Sequence, residues 1–343
     1  MPSFSKLLAV SILIGIRHAL AAINTLQEVT GFGTNPTNVR MFTYKPPDLV
    51  FNPALIVGMH WCTGSAQAYF SGTQYANLAD TYKTFMVIYP HAPDGGGCWD
   101  VHTTATLTHD AGGDSRGIAS MVRYAITNYG VDTSRIFMTG TSSGGMMTNV
   151  MAGAYPDLFT AGAAFCGVPY ACFAGQRSWN SECAQGLITK TAQDWGDLVR
   201  AGYPGYTGAR PKIQIWHGTN DQTLSYQTFG EAIKEWTNVF GYNITGAPAV
   251  FNSPLTGWTR TTYGPRFEAI SAQGVDHNIP IQENDALVWF GLKGTPGSSS
   301  SMSSSTTSVR PTTSASVRPT STTLSSASPT VTGTQARWGQ CGG

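Results

Sequence analysis

Short apolar runs recur along the chain, each closing on a residue that favours a loop: ALIVGMH (54–60), FMVIYP (85–90), RIFMTG (135–140), TAGAAFC (160–166) and KIQIWHG (212–218). Runs this short, without polar alternation, suit strands buried on both faces. Between them lie helical patterns at about 66–83, 114–129, 143–154 and 225–240. A further strand-like run, RFEAIS (266–271), is followed by a final helix. Strands alternating with helices predict an α/β fold, a mostly parallel central sheet with helices on both faces. No internal repeat interrupts the alternation.

The two ends depart from this pattern. Lys6, the apolar stretch Leu7–Ile16 and Ala19-Leu20-Ala21 form the charged, apolar and small-residue regions of a signal peptide, expected over 1–21. The apolar stretch is too short to span a bilayer, so no membrane partner is expected. From residue 295 the chain is almost entirely Ser, Thr and Pro. It offers too little apolar surface to offset its ordering entropy, so 295–335 is expected to be a disordered, O-glycosylated linker. The final QARWGQCGG resembles the opening of a fungal family 1 cellulose-binding module, and 336–343 is expected to be its truncated start. Cellulose would then be a partner of the full-length module, absent here. The remaining 22–294 forms the domain in which chemistry is expected.

Composition narrows the class. Charged residues make up 11% of the chain and the formal net charge is +1. That is less than half the usual charged share. No basic patch appears, so nucleic acid is not an expected partner. A secreted monomer is the expectation. Secretion permits disulfides. Cys172 and Cys183 flank a short loop and form the first expected pair; Cys62 and Cys98, both in loops after strands, form the second. Cys166 is then left as a buried thiol. Asn243-Ile244-Thr245 is a glycosylation sequon, expected at the surface.

Candidate chemistry centres on MTGTSSGGMMT (138–148), which contains G-x-S-x-G at Gly140–Gly144. A strand precedes it and a helix follows, the context of a nucleophile elbow with Ser142 at its tip. A serine needs a base, and the base an orienting carboxylate. After Ser142 only His217 and His277 remain. The order Ser142, Asp221, His277 fits a hydrolase triad, with Asp221 in a loop beyond the end of a strand. Asp276 adjoins His277 too closely to meet it well, Asp194 and Asp197 lie in a helical stretch, and Asp157 follows the elbow helix too closely. His217 reads as a structural residue bonded to the acid loop. The oxyanion hole is expected from the Ser143 and Cys62 N–H groups, the latter in the loop HWCTGS after the first strand. The long Gly-rich segment 93–115 is expected to line the cleft. Its His and Asp residues lack metal-ligand spacing, so no metal and no other cofactor is expected. Trp61, Trp99 and Trp179 are candidate faces for a sugar.

Several distant stretches in order, HWCTGSAQAYF, CWDV, LTHDAGGDS, TGTSSGGMMTNVMAGAYPDLF, GVPYACF, HGTND and GVDHNI, resemble fungal acetylxylan esterases of carbohydrate esterase family 1. They are also similar to type B feruloyl esterases and poly(hydroxybutyrate) depolymerase-like esterases. The resemblance spans 23–294. It implies an α/β-hydrolase fold, a Ser142–His277–Asp221 triad and acetylated xylan as substrate. Trp61 narrows the acyl pocket and favours acetyl over feruloyl. A feruloyl esterase and a non-catalytic carbohydrate-binding protein on a hydrolase scaffold are the competing readings. Asp276 stands where relatives often have Gly, and a carboxylate there is expected to raise the pKa of His277.

Overall fold

A computed structural model describes residues 25–93 and 97–293. The expected signal peptide, linker and module start lie outside the described residues. Ten strands form one sheet in the order β1-β2-β4-β3-β5-β6-β7-β10-β9-β8. They are β1 (Gln27–Val29), β2 (Arg40–Tyr44), β3 (Ala54–Met59), β4 (Phe85–His91), β5 (Ile136–Thr141), β6 (Ala161–Phe165), β7 (Lys212–Gly218), β8 (Ala249–Phe251), β9 (Trp258–Gly264) and β10 (Phe267–Ala272). The six neighbours from β4 to β10 run parallel; β1, β2, β8 and β9 pair antiparallel at the two edges.

The helices are α1 (Ala66–Gly72), α2 (Tyr75–Tyr82), α3 (Thr104–Leu107), α4 (Gly113–Tyr129), α5 (Ser143–Ala154), α6 (Ser181–Ala184), α7 (Ala192–Ala201), α8 (Gln227–Phe240) and α9 (Glu283–Phe290). They divide between two cores. Ile118 of α4, Met147 of α5, Trp195 of α7 and Phe229 of α8 pack with Met138 on one sheet face. Tyr69 of α1, Tyr75 of α2 and Leu287 of α9 pack with Phe137 on the other. Adjacent residues of β5 thus serve opposite cores, as the two-residue period of a strand requires. Full burial of such side chains contributes about 1.5–3 kcal/mol each, so both layers must be covered for the sheet to form.

The single helix expected over 66–83 is two. Thr73 adopts an extended conformation between α1 and α2, and its Oγ1 donates to the Tyr69 carbonyl (2.7 Å). The second helix is capped from 209 residues away, where Glu283 Oε1 accepts from Gln74 N (2.9 Å). No local pattern carries that contact.

Strand order creates the site. From β3 the chain moves one way to β4 and later returns to place β5 on the other side. Loops leaving β3 and β5 therefore diverge at the carboxyl edge of the sheet, where open α/β sheets bind ligands.

Candidate active site

Ser142 ends β5 and precedes α5 with φ 58° and ψ −119°. A non-glycine residue rarely holds this conformation, and it is the strained geometry of an elbow. The turn closes because Gly140 and Gly144 lack side chains. A Cβ on Gly144 would come within 2.1 Å of the Met59 carbonyl, and one on Gly140 within 2.3 Å of the Gly144 carbonyl. The Ser142 amide donates to the Phe165 carbonyl (2.9 Å), tying the turn to β6.

His277 Nε2 lies 2.8 Å from Ser142 Oγ, and His277 Nδ1 lies 2.7 Å from Asp221 Oδ2. The loops bearing acid and base are joined by the pairing of β7 with β10 in register to their ends. Beyond the strands, Thr219 N donates to Ala272 O (3.0 Å) and Asn220 N to Val275 O (2.9 Å). Burial alone would raise the Asp221 pKa. Hydrogen bonds from His217, His277 and the Leu224 amide outweigh it and hold the carboxyl well below its usual range. A carboxylate is therefore present to accept the Nδ1 proton, which leaves Nε2 to accept from the Ser142 hydroxyl.

Asp276 is exposed and turned aside, its Oδ1 accepting from Asn278 N (2.8 Å). Asp194 is spent in a capping box with Thr191 at the start of α7. His217 Nε2 meets Leu224 O at 2.8 Å and Asp221 Oδ2 at 3.2 Å.

A cleft of about 360 Å³ opens onto Ser142 and His277, lined also by Trp61, Cys62, Thr223, Asn278 and Ile279. Ser143 begins α5, so its amide has no carbonyl one turn back within the helix. Cys62 N–H donates to none of the described residues. Cys62 lines the same cleft as Ser142, and Ser143 follows Ser142 directly in the chain. Buried His60 organises the Cys62 loop. Its Nε2 accepts from Ala92 N (3.1 Å), so its Nδ1 carries the proton and donates to Trp61 O (2.7 Å). Burial pushes its pKa down to about 4, which keeps the ring neutral.

The cysteines pair as Cys62–Cys98 and Cys172–Cys183, with Cys166 buried and free. The first bond ties the loop after β3 to the loop after β4. Sulfur of Cys166, a nitrogen of His217 and an oxygen of Asp221 lie within 4.8 Å of one another. Burial and the neighbouring Asp221 charge push the Cys166 thiol pKa well up.

One aromatic expectation needs correction. Trp99 is 2% exposed and offers no face to a sugar. Instead its amide donates to Ser143 Oγ (2.9 Å) and its indole to His60 O (2.8 Å), bracing the elbow helix against the Cys62 loop. Trp179 is 47% exposed, stands edge-on to Phe173 and lies outside the cleft lining. The described part of 93–115 does not line the cleft either. Asp100 accepts from His102 N, Thr103 N and Thr103 Oγ1, and Asp114 accepts from Asp100 N, so both carboxylates are engaged within the loop. Thr223, Asn278 and Ile279 were not anticipated; their sequence signal is adjacency to Asp221 and His277. Asn243 is exposed, with Thr245 N and Oγ1 both donating to its Oδ1.

Similarity to known proteins converges on one group. The Esterase PHB depolymerase family matches residues 40–179. Acetylxylan esterase A of Emericella nidulans is 51% identical over 272 residues, 78% of this chain and 89% of that protein. Acetylxylan esterase A of Aspergillus oryzae is 49% identical over 281 residues, 80% of this chain and 91% of that protein. The solved acetyl xylan esterase from Aspergillus awamori superposes with a TM-score of 0.77 at 45% identity, covering 78% of this chain and all (100%) of the other.

Proposed function

This chain belongs to the acetylxylan esterase family, and from that membership we propose how its residues remove acetyl groups from xylan. It is a carboxylic ester hydrolase of the α/β-hydrolase fold. The observation that carries the mechanism is the hydrogen-bonded series Ser142–His277–Asp221 at the mouth of the cleft. Ser142 Oγ attacks the acetyl carbonyl as His277 Nε2 takes its proton, and Asp221 stabilises the imidazolium. The tetrahedral oxyanion faces the Cys62 and Ser143 amides. The intermediate collapses to acetyl-Ser142, and the departing sugar oxygen takes the proton from His277. Water, deprotonated by His277, then releases acetate and restores the hydroxyl.

Secretion is inferred from residues 1–21 and supported by two disulfides, which persist in oxidising compartments. A single chain supplies all three candidate catalytic groups, which supports action as a monomer. Among the described residues, no helix is long and apolar enough to cross a membrane.

The test is Ser142→Ala, expected to lower kcat by on the order of 10⁴ or more with the fold intact. Near-wild-type turnover would remove Ser142 from the mechanism. Rates on acetylated xylan and methyl ferulate, measured side by side, separate the deacetylase from a feruloyl esterase.

A further inference from the structure

Two imidazoles converge on one carboxylate oxygen. Asp221 Oδ1 is occupied by the Thr223 and Leu224 amides at 2.9 and 2.8 Å. Oδ2 is approached by His277 Nδ1 at 2.7 Å and by His217 Nε2 at 3.2 Å. The same His217 nitrogen lies 2.8 Å from the Leu224 carbonyl. A carbonyl can only accept, so this nitrogen must carry a proton, shared between Leu224 O and Asp221 Oδ2. A histidine satisfying only the core would need the carbonyl alone.

Packing fixes the ring in this pose. His217 is 1% exposed, with the Tyr226 and Phe229 rings at 6.1 and 6.0 Å. The cavity bordering it, shared with Asn149 and Ala232, has a volume of only about 10 Å³. The ionisable groups facing it are Asp221 from the following loop, Cys166 from the end of β6 and Tyr226 ahead of α8. His277 is felt through the shared oxygen.

We propose that His217 is a positioning residue for the esterase reaction: its Nε2–H, anchored on Leu224 O, fixes the Asp221 carboxylate for His277 and draws off part of its charge. The proposal rests on Asp221 being the acid of the triad. A donor on Oδ2 competes with His277 Nδ1–H for the lone pairs of the same oxygen, so the two contacts set each other's geometry. Removing the donor frees those lone pairs for His277 and should move the acid limb of kcat/KM to higher pH. A purely structural histidine would alter stability and leave the limb in place.

The experiment compares wild type, His217→Met and His217→Gln on 4-nitrophenyl acetate across pH 4–9, with Ser142→Ala as control. Methionine cannot donate; the glutamine amide reaches nearly as far as Nε2 and can. His217→Met should lose roughly 10- to 100-fold in kcat, the span a hydrogen bond to a charged group supports. KM should stay within about twofold, because the interaction serves the transition state. The acid limb should move up, and His217→Gln should restore most of kcat and the limb. Long-range ¹H–¹⁵N spectra of the wild type should show the His217 proton on Nε2, whatever the fate of the methionine variant. Protonation on Nδ1 alone overturns the proposal. So does an equal loss in both variants with an unmoved limb, or a glutamine variant as impaired as Asp221→Asn. Turnover surviving in Ser142→Ala instead sinks the esterase mechanism itself, and leaves the proton assignment of His217 standing as a separate fact.

Discussion

Asp221 and Asp276 both lie near His277, in space and in sequence respectively, and the geometry gives them different work. Asp221 Oδ2 accepts the hydrogen bond of His277 Nδ1–H, whereas Asp276 is exposed and accepts from a backbone amide. Asp221→Asn is expected to lower kcat by about 10⁴, because an amide can stabilise the wrong imidazole tautomer. Asp276→Asn should leave kcat within about threefold. Steady-state rates at the pH optimum decide between them, and the reverse pattern would move the acid. Trp61 makes a second case. It lines the cleft one position before the expected oxyanion donor Cys62, and its ring sits 6.1 Å from that of Tyr69. Trp61→Gly should flatten the fall in rate from acetyl to butyryl nitrophenyl esters. One methylene is worth only about 1–3 kcal/mol of discrimination, so the readout is the slope rather than any single rate. Identical slopes would mean that the indole does not bound the acyl group.

Among the elements, the β5–α5 junction carries the tightest constraint. Its helix begins one residue after Ser142, and the two glycines around the turn lie against backbone rather than flexible side chains. Backbone cannot move aside without breaking the pairing of β3 with β5. Gly144→Ala is therefore expected to destabilise at or above the top of the usual overpacking range of about 1–3 kcal/mol. Chemical denaturation measures this directly. A variant as stable as wild type would show that the elbow has slack. The Cys62–Cys98 bond and the Trp99 hydrogen bonds act on the facing loop. The candidate nucleophile Ser142 and the expected oxyanion donor Cys62 thus lie in two separately braced loops.

For the molecule as a whole, pH acts on stability through buried carboxyls. Glu235 of α8 is wholly buried; its Oε2 accepts from Tyr170 N (2.7 Å), while Oε1 has no partner among the described residues. Burial raises its pKa well above the usual value, and the single amide bond only partly opposes that. An unfolded glutamate titrates near pH 4.3. Above that, the native state holds a proton that the unfolded chain has lost. This contribution to stability is complete at low pH and declines as pH rises toward the folded pKa. Asp221 works in the opposite sense: its lowered pKa contributes stability above about pH 3.9, lost as the solution becomes more acidic. Glu235→Gln should thus raise Tm at pH 8, by about 2–4 °C per kcal/mol relieved, and change little at pH 4. An equal effect at both pH values would mean that the carboxyl is already ionised in the fold.

What was legible along the chain is what short-range pattern encodes. The five apolar runs and RFEAIS fall on β3, β4, β5, β6, β7 and β10, since a strand covered on both faces must be apolar throughout. Ser142, Asp221 and His277 stood out as candidates because each sits where a loop leaves an element, in the order hydrolases use. Strands β1, β2, β8 and β9 escaped notice, because each is partly exposed and carries no continuous apolar signal. The break between α1 and α2 depends on Glu283, and the fate of Trp99 on Ser143 and His60, partners that chain folding alone brings near. Composition marks tryptophan as a possible sugar platform or a core residue, and burial settles which it is. The approach of His217 and His277 to one oxygen of Asp221 is of the same kind. It arises from β7 lying beside β10, a pairing of segments about 50 residues apart whose register follows from packing across the whole sheet.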